Sequence, residues 1–196
     1  MRNKLLRCRQ CPLMESAPVI GPPVFSPILL LGQAPGIHEP RLGRPFAWTA
    51  GKTLFQWFQL HTQLDEYAIR SIIYFSAVCR CYPGRLPGQS GDRRPNPAEV
   101  QNCRAWWQAE MAMLKTELVI PVGRLAIDQF LPPLKLVDSI GQLHRTEGCA
   151  AEVLPLPHPS GASPWHRSEE GKRLIATSFA LLKEHPAWGK ARKLPI

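Results

Sequence analysis

Residues 28–51 read ILLLGQAPGIHEPRLGRPFAWTAG. Ile28 to Leu31 make a short unbroken apolar run, the pattern of a strand covered on both faces. The segment after it is too rich in Gly and Pro to continue as a helix. It carries two titratable groups, His38 and Glu39, and two aromatics, Phe46 and Trp48. Binding and catalytic groups concentrate on loops of this kind, held by a rigid scaffold.

The rest of the chain supplies such a scaffold. Three more apolar runs, 72–78, 118–122 and 153–156, have the length and composition of buried strands. Helical patterns at 50–61, 123–131 and 169–183 lie between or after them. Another opens at Asn96, which can cap a helix with Pro97 at its first position. There Val100, Cys103, Trp107, Met111 and Leu114 fall on one apolar face. Alternating strands and helices predict an α/β fold, a three-layer α/β/α sandwich with a central, mainly parallel four-stranded sheet, in a single domain over residues 1–196. In such sheets ligands bind outside the carboxyl ends of the strands. The loop after Leu31 falls there, and so does Pro157 to Ser163, another irregular segment following a strand.

Composition agrees. The 196 residues are 44% hydrophobic and 20% charged, and 21 prolines predict long ordered loops. A net charge of +9 favours polyanionic partners, nucleic acid or an anionic membrane surface. No window reaches the apolar length of a membrane span, and the N-terminus lacks the apolar core of a signal peptide. A cytoplasmic protein with no membrane association is expected, and nothing demands more than a monomer. Six cysteines in that compartment argue for metal rather than disulfides.

Cys8 and Cys11 form a C-x2-C pair, and Cys81 and Cys103 lie far downstream. Four thiolates hold either zinc or an iron–sulfur cluster. The spacing matches neither a zinc ribbon nor a bacterial ferredoxin. Cys79 competes with Cys81 for the third position, because alternation along a strand points both to one side. Cys149 stands apart. Glu39 is a candidate general base or water-orienting group, and Phe46, stiffened by the preceding Pro45, a face for a planar ring. His158, between two prolines after a strand, is placed to donate to an oxygen that gains charge. Trp165, His166 and Arg167 beyond it could meet a nucleic-acid backbone or form a packed loop. There is no Walker A sequence, no G-x-S-x-G elbow and no zinc-deaminase pattern.

Taken in order, these pieces resemble the uracil-DNA glycosylase superfamily, closest to the family-4 type that carries a [4Fe–4S] cluster. That type opens with C-x2-C and continues G-E-A-P-G-x-x-E-D-x-x-G-x-P-F-V-G-x-A-G. Here Gly32 to Glu39, Gly43 to Phe46, and Ala50-Gly51 match. Arg80-Cys81-Tyr82-Pro83 stands for its Lys-Cys-Arg-Pro-Pro segment, Pro95 to Cys103 for P-x-x-x-E-[IV]-x-x-C, and His158-Pro159-Ser160 for its closing H-P-S. The resemblance covers nearly the whole chain and implies a DNA partner. It implies that Cys8, Cys11, Cys81 and Cys103 hold the cluster, and that Glu39 positions water. It also implies that Phe46 stacks on a flipped base, that His158 faces the base's O2, and that the backbones of Gln33 and Gly36 line the pocket. Arg93, Arg94, Ser160, Ser163, Trp165 and Arg167 are the expected DNA contacts. No lysine stands at the site to form a Schiff base, so direct hydrolysis is expected.

Three departures bear on substrate. Gln33 replaces Glu, Ala47-Trp48 replaces the Gly after Phe, and Ala77 replaces the usual Asn whose amide reads uracil's edge. A related group becomes covalently attached to DNA through a His in an Arg-rich loop. The corresponding loop, 84–97, has no His, so trapping is not expected. Three readings follow: a monofunctional glycosylase for uracil or a related deaminated base, the same chemistry on a different or bulky base, and an inactive metal-stabilised DNA-binding module.

Overall fold

The computed structural model describes residues 1–86, 88, 91–161 and 164–194. A short helix α1 (Arg2–Leu6) and an extended segment lead to β1 (Ile28–Gly32). Helices α2 (Glu39–Leu42), α3 (Thr49–Thr62) and α4 (Glu66–Ile72) precede β2 (Tyr74–Ala77), and α5 (Pro97–Leu114) leads to β3 (Leu118–Pro121). Then come α6 (Arg124–Ile127), α7 (Leu136–Ser139), β4 (His144–Thr146), β5 (Cys149–Val153), a 3-10 turn at Pro164–Arg167, α8 (Glu169–Glu184) and α9 (Pro186–Ala191).

The sheet order is β2-β1-β3-β5-β4, parallel except for the β4–β5 pair. All five residues of β1 are buried, and alternation sorts them into two layers. Ile28 and Leu30 pack with α3, α4, α8 and α9 through Phe58, Ile69, Phe179 and Trp188. Leu29 and Leu31 pack with α5 and α6 through Cys103, Trp107, Leu125 and Ala126. Helices therefore cover both faces, as expected of a three-layer sandwich. The chain leaves β1 for β2 on one side and later crosses to β3 on the other. The order thus reverses between β1 and β3, and a crevice opens at their carboxyl ends.

The expected four strands become five. β4 is polar and half exposed, so it leaves no apolar signal. β5 starts at Cys149, upstream of the expected 153–156 run. Residues 154–156 still follow β3, with Leu154 N–H donating to Val119 O (2.9 Å) and Leu156 N–H to Pro121 O (2.9 Å). Pro155 and Pro157 alternate with Leu154 and Leu156 and have no N–H to offer on the side away from β3. The expected strand 72–78 shortens to β2 because α4, which Asp65 caps by accepting from Ala68 N–H at 2.8 Å, runs through Ile72. The Asn96 cap is present as a full capping box: its side chain accepts from Glu99 N–H (2.9 Å), and Glu99 accepts from Asn96 N–H (2.8 Å).

Glu110 lies on the buried side of α5 and ties it to the sheet. It accepts from Tyr74 Oη (2.9 Å) and Ser76 Oγ (3.0 Å) on β2, and it pairs with Arg80. Glu110 and Arg80 are each only 1% exposed. A buried charge that loses its partner costs about 3–5 kcal/mol. Glu110→Ala is therefore expected to lower unfolding free energy by about that amount in urea titration, whereas loss of the exposed Lys172–Glu169 pair leaves it nearly unchanged.

Candidate active site

A cleft of about 650 Å³ opens at the β1/β3 crevice. Its walls come from the loop after β1, the end of β2, the turn after β3 and the segment after β5. Gln33, Gly36, Glu39, Phe46, Ala77, Arg93, His158 and Ser160 all line it. The two irregular loops singled out in the sequence thus meet at one edge of one sheet.

Glu39 opens α2 and is 7% exposed. Its Oε2 accepts from Gly36 N–H (3.2 Å) and its Oε1 from Ala47 N–H (3.0 Å), so one carboxylate closes the loop on itself. Burial raises its pKa to about 7, against the opposing pull of those two N–H groups and the Arg70 charge. Glu39 is therefore poised to change protonation near neutrality.

Phe46 adopts a left-handed backbone, φ 53°, uncommon for a residue with a bulky side chain. Arg70 holds it there: Nη2 donates to the carbonyls of Pro45 (3.0 Å) and Phe46 (2.9 Å), and Nε to Glu66 (2.8 Å). The Arg70 guanidinium also lies over the rings of Phe55 (4.6 Å) and Phe75 (5.0 Å). The Phe46 ring meets Phe75 edge-on at 6.2 Å and rests on Gly32, where a Cβ would come within 2.8 Å of it. Glycine is required at 32 for this approach. Ala77, paired with Gly32 across the sheet, presents a methyl group to the cleft.

His158 Nδ1 accepts from Ser160 N–H (3.2 Å) and lies 2.8 Å from Ser160 Oγ. An Nδ1 that accepts carries no proton, so the neutral ring bears its proton on Nε2. Burial, with His166 nearby, lowers the His158 pKa and keeps the ring neutral at neutral pH. Its Cδ2 would lie 2.9 Å from a Cβ at Gly123, whose φ is 84°. Both facts require glycine at the turn after β3.

Other expected contacts are placed differently. Arg93 turns inward, with Nη1 and Nη2 on the two Glu99 oxygens (2.8 and 2.6 Å) and Nη2 on Leu13 O (2.8 Å). That commitment ties the loop to α5 and leaves its fork no longer open toward a phosphate. Arg94 is exposed beside Asp128 at 3.5 Å. Trp165 packs with Leu131, Ile140 and Leu174, and Arg167 is exposed. Ser163 lies outside the described residues. The sequence reading missed Arg85, Asp92 and Arg124, which line the cleft, and Arg70, which supports it. The only signal at Arg85, Asp92 and Arg124 was charge within or after a Pro- and Gly-rich segment, and Arg70 on α4 gave none.

A second cavity, about 220 Å³, is lined by Cys8, Cys11, Cys81 and Cys103 together with Arg80. Cys79 is fully buried and is absent from the described lining. Among the described residues, no three His, Cys, Asp or Glu side chains gather tightly enough to bind a single metal ion. Burial pushes the Cys81 thiol up to about 12, and its neighbouring thiols push the same way.

Residues 18–182 match the model of the uracil DNA glycosylase superfamily. The type-4 uracil-DNA glycosylase of Thermotoga maritima is 25% identical over 88% of this chain and 86% of its own length. That of Pyrobaculum aerophilum is 26% identical over 82% and 81%. A type-5 uracil-DNA glycosylase from the same organism is 26% identical over 63% and 65%. The matches to the type-4 enzymes of Sulfurisphaera tokodaii and Archaeoglobus fulgidus span little more than half of those relatives, 53% and 58%. With the family model covering most of the chain and the site built at the sheet edge, the chain belongs to the uracil-DNA glycosylase superfamily.

Proposed function

We propose that the protein, acting as one domain, is a monofunctional DNA glycosylase that removes uracil or a related deaminated base and leaves an abasic site. The observation that carries this reading is the convergence of Glu39, Phe46 and His158 on one cleft. Hydrolysis joins a water oxygen to C1′ and breaks the C1′–N bond, whose electron pair leaves with the base; the water's released proton passes to Glu39 and then to solvent. Positive charge gathers on the sugar and negative charge on the base. Ionised Glu39 orients the water and faces the sugar's charge, the Phe46 ring supplies a stacking face, and the His158 Nε2–H meets the oxygen that gains charge. Arg85, Arg94, Arg124 and Arg167 are the charges available to DNA phosphates.

Four thiols around one cavity are the ligand set of a [4Fe–4S] cluster, which Cys8, Cys11, Cys81 and Cys103 would hold. The cluster's positive iron would stabilise the ionised thiolates and cross-link the N-terminal segment, the segment after β2 and α5. No helix among the described residues is long and apolar enough to cross a membrane.

Ala77 supports a second reading, in which the target is a different base. A methyl group in place of an amide leaves uracil's edge without a donor and acceptor pair at the end of β2.

On oligonucleotides carrying one uracil, strand breakage is expected only after alkali, with a loss of about 100-fold or more in Glu39→Ala and His158→Ala. The sign of the pH dependence follows from Glu39: the carboxylate forms above its pKa, so the rate rises with pH and levels off above about 7. Cleavage of a modified-base oligonucleotide but not of uracil would favour the second reading, and tight DNA binding with no abasic product would overturn both. Purified protein is expected to be brown and to contain iron and sulfide. Cys81→Ala should then cost more stability and colour than Cys149→Ala, and colourless protein with stoichiometric zinc would contradict the cluster.

A further inference from the structure

Arg80 lies between β2 and Cys81, and its side chain is 1% exposed. A guanidinium does not lose its charge in a protein, so all its donors must be met inside. Glu110 meets Nη2 alone. The same carboxylate takes hydrogen bonds from Tyr74 and Ser76, which fix its orientation from β2. Arg80 Nε and Nη1 are fully buried and have no hydrogen-bond partner among the described residues. An arginine needed only to neutralise Glu110 would present its two-pronged edge to both carboxylate oxygens, as Arg93 does to Glu99. Arg80 instead keeps Nε and Nη1 off Glu110.

Arg80 is among the residues that line the cavity shared by Cys8, Cys11, Cys81 and Cys103. An unmatched buried donor on a charged group costs several kcal/mol. An electron-rich group inside the cavity would remove that cost, and the sulfurs of a thiolate-ligated cluster accept hydrogen bonds that set its potential.

We propose that Arg80 is a direct donor to the [4Fe–4S] cluster, its Nε and Nη1 hydrogen-bonding cluster sulfur while Glu110, held by Tyr74 and Ser76, keeps the guanidinium in register. The inference rests on the cluster reading above. A fixed cation with two N–H groups favours the more negative, reduced cluster. Arg80 therefore raises the cluster's midpoint potential and slows its loss. Lysine could keep the charge and the pair with Glu110 but lacks the planar fork.

The test uses the full chain purified without oxygen. Iron and acid-labile sulfide are measured first; their absence from wild type overturns the cluster reading and this inference with it. With the cluster present, Arg80→Lys is expected to bind iron and sulfide as wild type does. Its midpoint potential should be more negative, and it should bleach about tenfold faster in air with chelator. Unchanged potential and bleaching would overturn the inference and leave the cluster reading standing. Should the variant fail to fold, wild-type protein labelled with nitrogen-15 only in arginine guanidino groups decides the matter. Electron–nuclear double resonance of the reduced cluster should show coupling to that label, and no coupling overturns the proposal.

Discussion

One buried carboxylate organises the site. Glu39 accepts from Gly36 N–H and Ala47 N–H, which lie on opposite sides of α2, and so closes the long loop into a ring. Without that bridge the two N–H groups would need other partners inside a half-buried cleft. With it, the segment from Gly32 to Gly51 has few ways to move. Phe46 then sits where its carbonyl meets Arg70 and its ring covers Gly32. The strain of its left-handed backbone is offset by Arg70, which also lies over two aromatic rings. The same burial raises the pKa of Glu39 to about 7, because two N–H groups and a distant cation only partly replace water. Closing the loop and poising the carboxyl are thus one physical arrangement.

β2 and the segment after it connect this cleft to the cysteine cavity. Ala77 ends the strand at the cleft, and Arg80 and Cys81 follow within a turn at the second cavity. The Tyr74–Ser76–Glu110–Arg80 network fixes the strand to α5, the helix that carries Cys103. Anything held by the cysteines therefore bears on the backbone that presents Ala77. Arg93 adds a second tie, joining the loop before α5 to Leu13 near the C-x2-C pair.

Much of this was legible in the sequence because it depends on periodicity and punctuation. The apolar runs gave the parallel strands, and Asn96-Pro97 gave the start of α5. Gly and Pro after Leu31 and around His158 marked both active loops. What escaped has physical reasons. β4 is polar on an exposed edge, and pairing of that kind leaves no apolar pattern. Ile72 ends α4, although its apolar side chain continues the run of β2 in sequence. Arg70, Arg80 and Glu110 act through contacts across the fold. A charge on a helix face reads as solvated unless its buried partner is known, yet Glu110 sits three residues after Trp107 on the apolar face. Arg93 shows the converse, a loop cation that reads as available and is engaged inside.

The central claim is that Glu39, Phe46 and His158 act together on a base drawn out of DNA. The most direct measurement is a crystal structure of the protein with DNA containing 2′-fluorinated deoxyuridine, which resists cleavage. The account predicts the base in the cleft against the Phe46 ring, His158 Nε2 within hydrogen-bonding distance of a base oxygen, and a water between Glu39 and C1′. A uracil left stacked in the DNA, or DNA bound on a face remote from the carboxyl ends of β1 and β3, would contradict it.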